Sequence, residues 1–172
     1  MAFVKKNLAY LCCAAVGLLN FLWMLIDYAA GEMLGVKASM TGYDILDNLS
    51  EGSDITGATF MGVMTVVTFV LGIIILAYGV CGILKALGIF KAFPDQIAGI
   101  CTKKIAAYLA IAFALAEVLL LVAIIIFCSA EIDLGIASME NPYELAAGIF
   151  VALAVALVGA AAPIVAEKLI KE

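Results

Sequence analysis

The 172 residues contain no histidine and no arginine, so all nine basic residues are lysines. Losing histidine removes the side chain whose charge most readily changes near neutral pH, and with it the usual general acid or base. No acids cluster near a nucleophile, so neither general acid–base nor covalent catalysis has a visible constellation, and the chain is read as a non-enzyme. No motif for a nucleotide, cofactor or hydrolytic centre is present, and no cofactor is expected. The five cysteines make no metal pattern: Cys12 and Cys13 adjoin, Cys81, Cys101 and Cys128 stand alone, and none lies in the long segment 29–54. A disulfide-stapled outer framework is therefore not expected. Buried thiols are the reading for Cys12, Cys13, Cys81 and Cys101, with palmitoylation near the inner leaflet as the alternative.

Charge is also scarce, at 13% of residues against roughly a quarter in ordinary soluble chains. Its place is taken by apolar residues, which reach 67% with a mean hydropathy of +1.23. They gather in four tracts, 8–26, 55–84, 105–130 and 145–166. Each meets the roughly 20 residues needed to cross a hydrocarbon core about 30 Å thick. Since no water there satisfies a stray backbone amide, each tract should be helical. The expected fold is an all-α transmembrane four-helix bundle, one domain over 1–172, with spans at about 8–29, 56–84, 104–130 and 143–167. A small extracytoplasmic cap at about 30–54 is expected between the first two spans. Lys5 and Lys6 before the first tract resemble a signal-peptide start, but the uncharged run is long for one and lacks a small-x-small cleavage pattern. An uncleaved helix is preferred.

Eight lysines (5, 6, 85, 91, 103, 104, 168 and 171) fall on one side of this layout and only Lys37 on the other. The positive-inside rule then makes both termini and the 85–104 loop cytoplasmic. Ten acids lie outside with Lys37, leaving −9 there. Three lie inside with eight lysines, leaving +5, and Glu117 accounts for the remainder of the formal −5. The outer face reads either as a solvated surface or as a vestibule that concentrates cations or basic partners. The inner face suits anionic lipid.

Within the outer segment, Gly31 and Gly35 bracket a turn and Val36 to Met40 can extend. Thr41 is placed to cap a short helix with Asp44 at its third position, close to a capping box with Asp in place of Glu or Gln. Gly52 to Asp54 break the pattern before the second span, and Pro94 can open a helix or turn on the inner side. Asn141, Pro142 and Glu144 fit the N-cap, first and third positions of the last span. Pro163 should kink it locally. Trp23, Tyr28 and Tyr143 read as interfacial aromatic anchors.

The helices also carry small-residue seams that permit close approach in lipid. Gly17 shares a face with Asn20 on the first, Gly72 and Gly79 with Thr65 and Thr68 on the second. Ala110 and Ala114 line up with Glu117 on the third, and Gly148, Ala152 and Ala156 line the fourth. Glu117 is the sharpest feature, because it is the sole charge among the 26 positions 105–130. At such a depth a carboxyl must be protonated, paired or facing water, and it defaults to a functional hypothesis. Counted from Lys6 and Lys104, Asn20 and Glu117 each lie roughly 20 Å along their helices from the inner boundary. Gly72, at similar depth, leaves room between them. Glu117, Asn20, Asp27, Thr65 and Thr68 form the candidate intramembrane polar site. Three readings stay open for Glu117: a hydrogen-bonded clip that sets helix register, a proton- or cation-exchanging group reached past Asp27, and a lipid-facing contact between copies.

The layout of a lysine-bearing N-terminus, a first span, the element Thr41-Gly-Tyr-Asp-Ile-Leu46 and three further spans resembles a set of uncharacterised bacterial four-span membrane proteins. In that set a Ser-Gly-Phe-Asp-Leu-Leu-like element follows the first helix. The resemblance implies a bacterial plasma-membrane protein and supplies no catalytic residues. Claudin-like tetraspans share the helix count and a folded first outer loop, but their Trp and paired-Cys signature is missing. Tetraspanins carry a large Cys-rich loop between spans three and four, where this chain has about a dozen residues. Proteolipid rotor subunits share the Gly- and Ala-rich spans and a membrane Glu but lack the outer segment. The leading expectation is a non-enzymatic membrane protein that assembles with itself or another membrane protein through its helix faces and acidic cap. The alternative is a small channel or a proton- or cation-coupled transporter using Glu117. The lipid bilayer and a like or unlike membrane protein are the expected partners. Nucleic acid is not.

Overall fold

The computed structural model describes residues 2–33, 35–48, 57–89, 101–133 and 138–170. Four long helices dominate: α1 (Ala2–Trp23), α3 (Ala58–Ala86), α4 (Lys103–Cys128) and α5 (Ala147–Ile170), with a short α2 (Gly42–Asp47) between the first two. Three of them, α1 from Lys6 to Trp23, α3 and α4, are long and apolar enough to cross a membrane, and α5 is apolar over Ala147–Ala162. The helices pack in a ring, α1 against α3 and α5, and α4 against α3 and α5. Asn7 interrupts α1 with non-helical angles, and its side chain donates to the Phe3 carbonyl at 3.1 Å. At the same end of the ring, Thr102 caps α4 by accepting from the Ile105 amide.

The fold is not all-α. Strands β1 (Asp27–Met33), β2 (Val36–Thr41) and β5 (Tyr143–Leu145) form an antiparallel sheet in the order β2-β1-β5. A separate hairpin joins β3 (Glu131–Asp133) to β4 (Ser138–Glu140). The first tract therefore leaves the helix at Trp23 rather than continuing to residue 29. Gly35, with a φ of +79°, accepts the left-handed backbone of the β1–β2 turn. Gly31 lies inside β1 instead of bracketing that turn. A side chain there would collide with the Pro142 carbonyl and lie 3.1 Å from Tyr143 Cα, so its absence admits β5.

The start of the last long helix also differs from the sequence expectation. Ala29, Ala30 and Gly31 pair with Leu145, Glu144 and Tyr143, which makes 143–145 a strand, and α5 begins at Ala147. Asn141 does not cap α5. Its Nδ2 donates to the Phe127 carbonyl at the end of α4 (2.7 Å), while its Oδ1 accepts from the Tyr143 amide (3.1 Å). Ladder bonds to an existing strand outcompete the local proline signal. The expected cap between the first two spans is thus a cap built from both connecting segments. Pro163 lies within the continuous helix α5, whereas Gly52 to Asp54 and Pro94 fall outside the described residues.

The sheet sits on the ends of the helices. Tyr28, Ala29 and Ile45 are buried with Met61, Met64, Leu120, Ile124, Phe127 and Ile149 in one apolar cluster. A second cluster of Tyr10, Cys13, Val16, Ile75, Phe113 and Ala156 fills the opposite half.

Candidate functional site

Glycines on α1 and α3 bring the two backbones together and set the position of Asn20. A Cβ on Gly17 would stand 2.6 Å from the Leu76 amide nitrogen, and one on Gly79 would strike Ala14 and the Tyr10 carbonyl. Gly72 provides the space that Asn20 occupies: an added methyl would meet Asn20 Cγ at 3.0 Å and its amide nitrogen closer still. Gly82 against the Tyr10 ring and Gly159 against Val16 extend the close packing beyond the rows read from the sequence.

Between the two apolar clusters lie Asn20 from α1, Thr65 and Thr68 from α3 and Glu117 from α4, none more than 2% exposed. Thr65 Oγ1 donates to the Met61 carbonyl at 2.8 Å and Thr68 Oγ1 to the Thr65 carbonyl at 3.0 Å. These are bonds to the preceding helical turn, the usual way a helix absorbs a hydroxyl. Asn20 Nδ2 and Glu117 Oε2 differ: both are enclosed and have no hydrogen-bond partner among the described residues. Leaving such a group bare costs about 1–3 kcal/mol, and more if it is charged.

Helix register explains why the two do not meet directly. Cys13 Sγ lies 3.4 Å from the Ala106 carbonyl, which aligns α1 with α4. Counting outward from that pair, and from Gly72 against Asn20, puts Glu117 between one and two turns, ~6–8 Å along the helices, closer to the sheet than Asn20. At the sheet end, Gly57 lies against Ile126 and Phe127, so Glu117 falls at the level of Thr65 and Thr68. Tyr28 covers the layer from β1. Burial first, then Glu117 and Tyr43, push the Tyr28 phenol above its ordinary pKa.

Asp27 stands apart, in β1 opposite Thr41, with its carbonyl 2.5 Å from where a Cβ of Gly148 would be. Ala110 and Ala114 are buried in the half away from the sheet. Ala152 and Ala156, each 1% exposed, also face inward, so the stripe on α5 is used within the chain. Trp23 and Tyr28, read as interfacial anchors, are buried at 8% and 1% exposed. Asn7 and Thr102 carry no signal separable from an apolar tract's flanks, and Tyr28 becomes visible only once β1 folds back over α1.

The chain matches no family model, no curated protein and no solved structure. The chemistry of the layer is accordingly argued from its own residues.

Proposed function

We propose that the chain is a non-enzymatic integral membrane protein of four spans, built as a helical bundle with both termini cytoplasmic, that assembles with a partner through its outer cap. The membrane reading rests on an inverted surface: the polar side chains Asn20, Thr65, Thr68 and Glu117 are inside, while Leu18, Leu22, Val63, Val70, Leu115, Leu119 and Val158 are exposed. Water would penalise that arrangement and lipid would not. The apolar part of α5 shares this pattern and supplies the fourth span.

The observation that carries the functional reading is the sheet joining both outer segments into one head. Glu32 on β1 and Glu144 on β5 are exposed on it, and Glu140 is exposed on the separate β3–β4 hairpin. The head is held to the helices by the Asn141–Phe127 bond, by Tyr143 packed on Phe127 at 5.8 Å and by the Tyr28 carbonyl accepting from Ala146. A rigid, acidic platform on a membrane bundle suits recognition of a basic surface on a membrane neighbour. The helix faces are poorer candidates, since the α5 seam is consumed internally.

Two differently tagged copies should co-purify from mild detergent and from native-lipid discs, or one copy should retain a stoichiometric membrane partner. Glu140→Lys combined with Glu144→Lys should abolish that association while leaving thermal stability unchanged, since neither position faces a lysine across its ladder. A monodisperse, partner-free monomer in both media would overturn the reading.

A further inference from the structure

The end of the molecule away from the sheet holds a second group of reactive side chains, gathered around Cys101 and Thr102 just before α4. Side chains from two helices grip these two residues. The Cys101 carbonyl accepts from the Tyr10 hydroxyl of α1 and from Lys85 Nζ of α3, both at 3.1 Å. The Tyr78 hydroxyl of α3 donates to the Thr102 carbonyl at 2.9 Å and accepts from the Thr102 amide at 2.8 Å. Tyr78, Cys81, Gly82 and Lys85 are spaced to share one face of α3. The Tyr10 ring rests on Gly82, where a Cβ would strike it. Cys81 therefore stands between the two α3 side chains that hold Cys101 and Thr102, beside the glycine on which the third one rests. Cys101 is buried and Cys81 half-buried. Burial first, then the neighbouring Cys81 thiol, push the Cys101 thiol above its ordinary pKa, while the Lys85 ammonium pulls it down. Both neighbours thus act on that sulfur.

We infer that Cys81 and Cys101 are a redox pair that closes into a reversible disulfide between α3 and the start of α4, with hydrogen peroxide as the oxidant. Cys81, the more accessible sulfur, reacts first. Its thiolate attacks one peroxide oxygen, the O–O bond breaks, and the departing hydroxide takes up the thiol proton as water, leaving a sulfenic acid on Cys81. The Cys101 sulfur then attacks the Cys81 sulfur. The S–S bond forms, and the sulfenic hydroxyl leaves with the Cys101 proton as a second water. Two electrons pass from the two sulfurs to the peroxide. The Lys85 ammonium favours the thiolate that attack requires, and a thiol reductant reopens the bond by exchange. The other cysteines are placed elsewhere: Cys13 gives its S–H to the Ala106 carbonyl, and Cys128 packs on the cluster at the sheet end. The pair works whether or not the head holds a partner.

The test is peroxide treatment of the full chain in lipid discs, alkylation of the remaining thiols, and mass spectrometry of a non-reducing tryptic digest. Cutting after lysine leaves Cys81 alone in peptide 38–85 and Cys101 alone in 92–103, whereas Cys12 and Cys13 share 7–37 and Cys128 lies in 105–168. Peptides 38–85 and 92–103 should appear joined and should separate in dithiothreitol. When ¹⁵N-labelled and unlabelled chains are mixed, each joined species should carry one label throughout. Cys101→Ser should abolish the joined species and leave a Cys81 sulfenic acid that dimedone traps. The wild-type digest needs no variant, so it decides the matter even if a substitution prevents folding. Three results would overturn the proposal: both peptides recovered fully alkylated after peroxide, a joined species with mixed labels, or an equal yield of it from chain unfolded in dodecyl sulfate.

Discussion

Thr41 and Asp44 show what a pair of side chains accomplishes when both its partners are local. The Asp44 carboxylate accepts from the Thr41 amide at 2.8 Å and from the Thr41 hydroxyl at 2.7 Å, and Thr41 Oγ1 accepts from the Asp44 amide at 3.2 Å. The side-chain bond first, then the backbone bond, hold the Asp44 carboxyl below its ordinary pKa. A carboxyl depressed in the folded state stabilises the cap above its unfolded pKa, and that contribution is lost as pH falls through the folded value. Protection of the Asp44 to Leu46 amides, measured against their intrinsic exchange rates, should therefore fall in acid below the ordinary Asp range. Thr41→Ala should return the Asp44 titration toward normal in carbon-13 NMR and cost α2 about 1 kcal/mol. An unchanged Asp44 titration in that variant would refute the assignment. The three-residue spacing made this pair legible because nothing outside the turn is needed to complete it. Asn141 offered an equally clear local signal, yet it serves the end of α4 because Tyr143 to Leu145 find a strand partner more than 100 positions earlier.

At the scale of elements, the seams of small residues were legible as helix-spacing patterns, but a seam does not say which helix it meets. Gly17, Gly72 and Gly79 turned out to serve one contact, α1 with α3, and Ala152 and Ala156 line the interior of α5. Leu at 152 or 156 would overfill a closed space, and overpacking costs typically about 1–3 kcal/mol. Ala152→Leu and Ala156→Leu should accordingly lower the melting temperature of the isolated chain while leaving the number of copies per particle unchanged. A loss of assembly with normal stability would put that stripe back on an outer face. Strand β1 was hidden for a related reason. Its first residues continue an apolar tract, and composition alone cannot separate the end of a helix from a buried strand.

For the molecule as a whole, the sheet requires the 27–41 and 143–145 segments to lie on one side, which the proposed topology puts outside the cytoplasm. On a cysteine-free background, Ser39→Cys and Glu140→Cys should react with a membrane-impermeant thiol reagent in intact cells, and Leu87→Cys should react only after permeabilisation. Labelling of position 87 in intact cells would invert or break the topology. Hydropathy and the lone Glu117 were sufficient to derive apolar helices and a buried carboxyl, because each depends on the cost of placing charge or bare backbone in an apolar interior. Three outcomes belonged to the tertiary structure: the strand pairing of two distant outer segments, the inward turn of Tyr28 and of the α5 seam, and the axial offset between Asn20 and Glu117. These rest on helix register and long-range backbone hydrogen bonding, and no local spacing in a single chain encodes which partner arrives at which level.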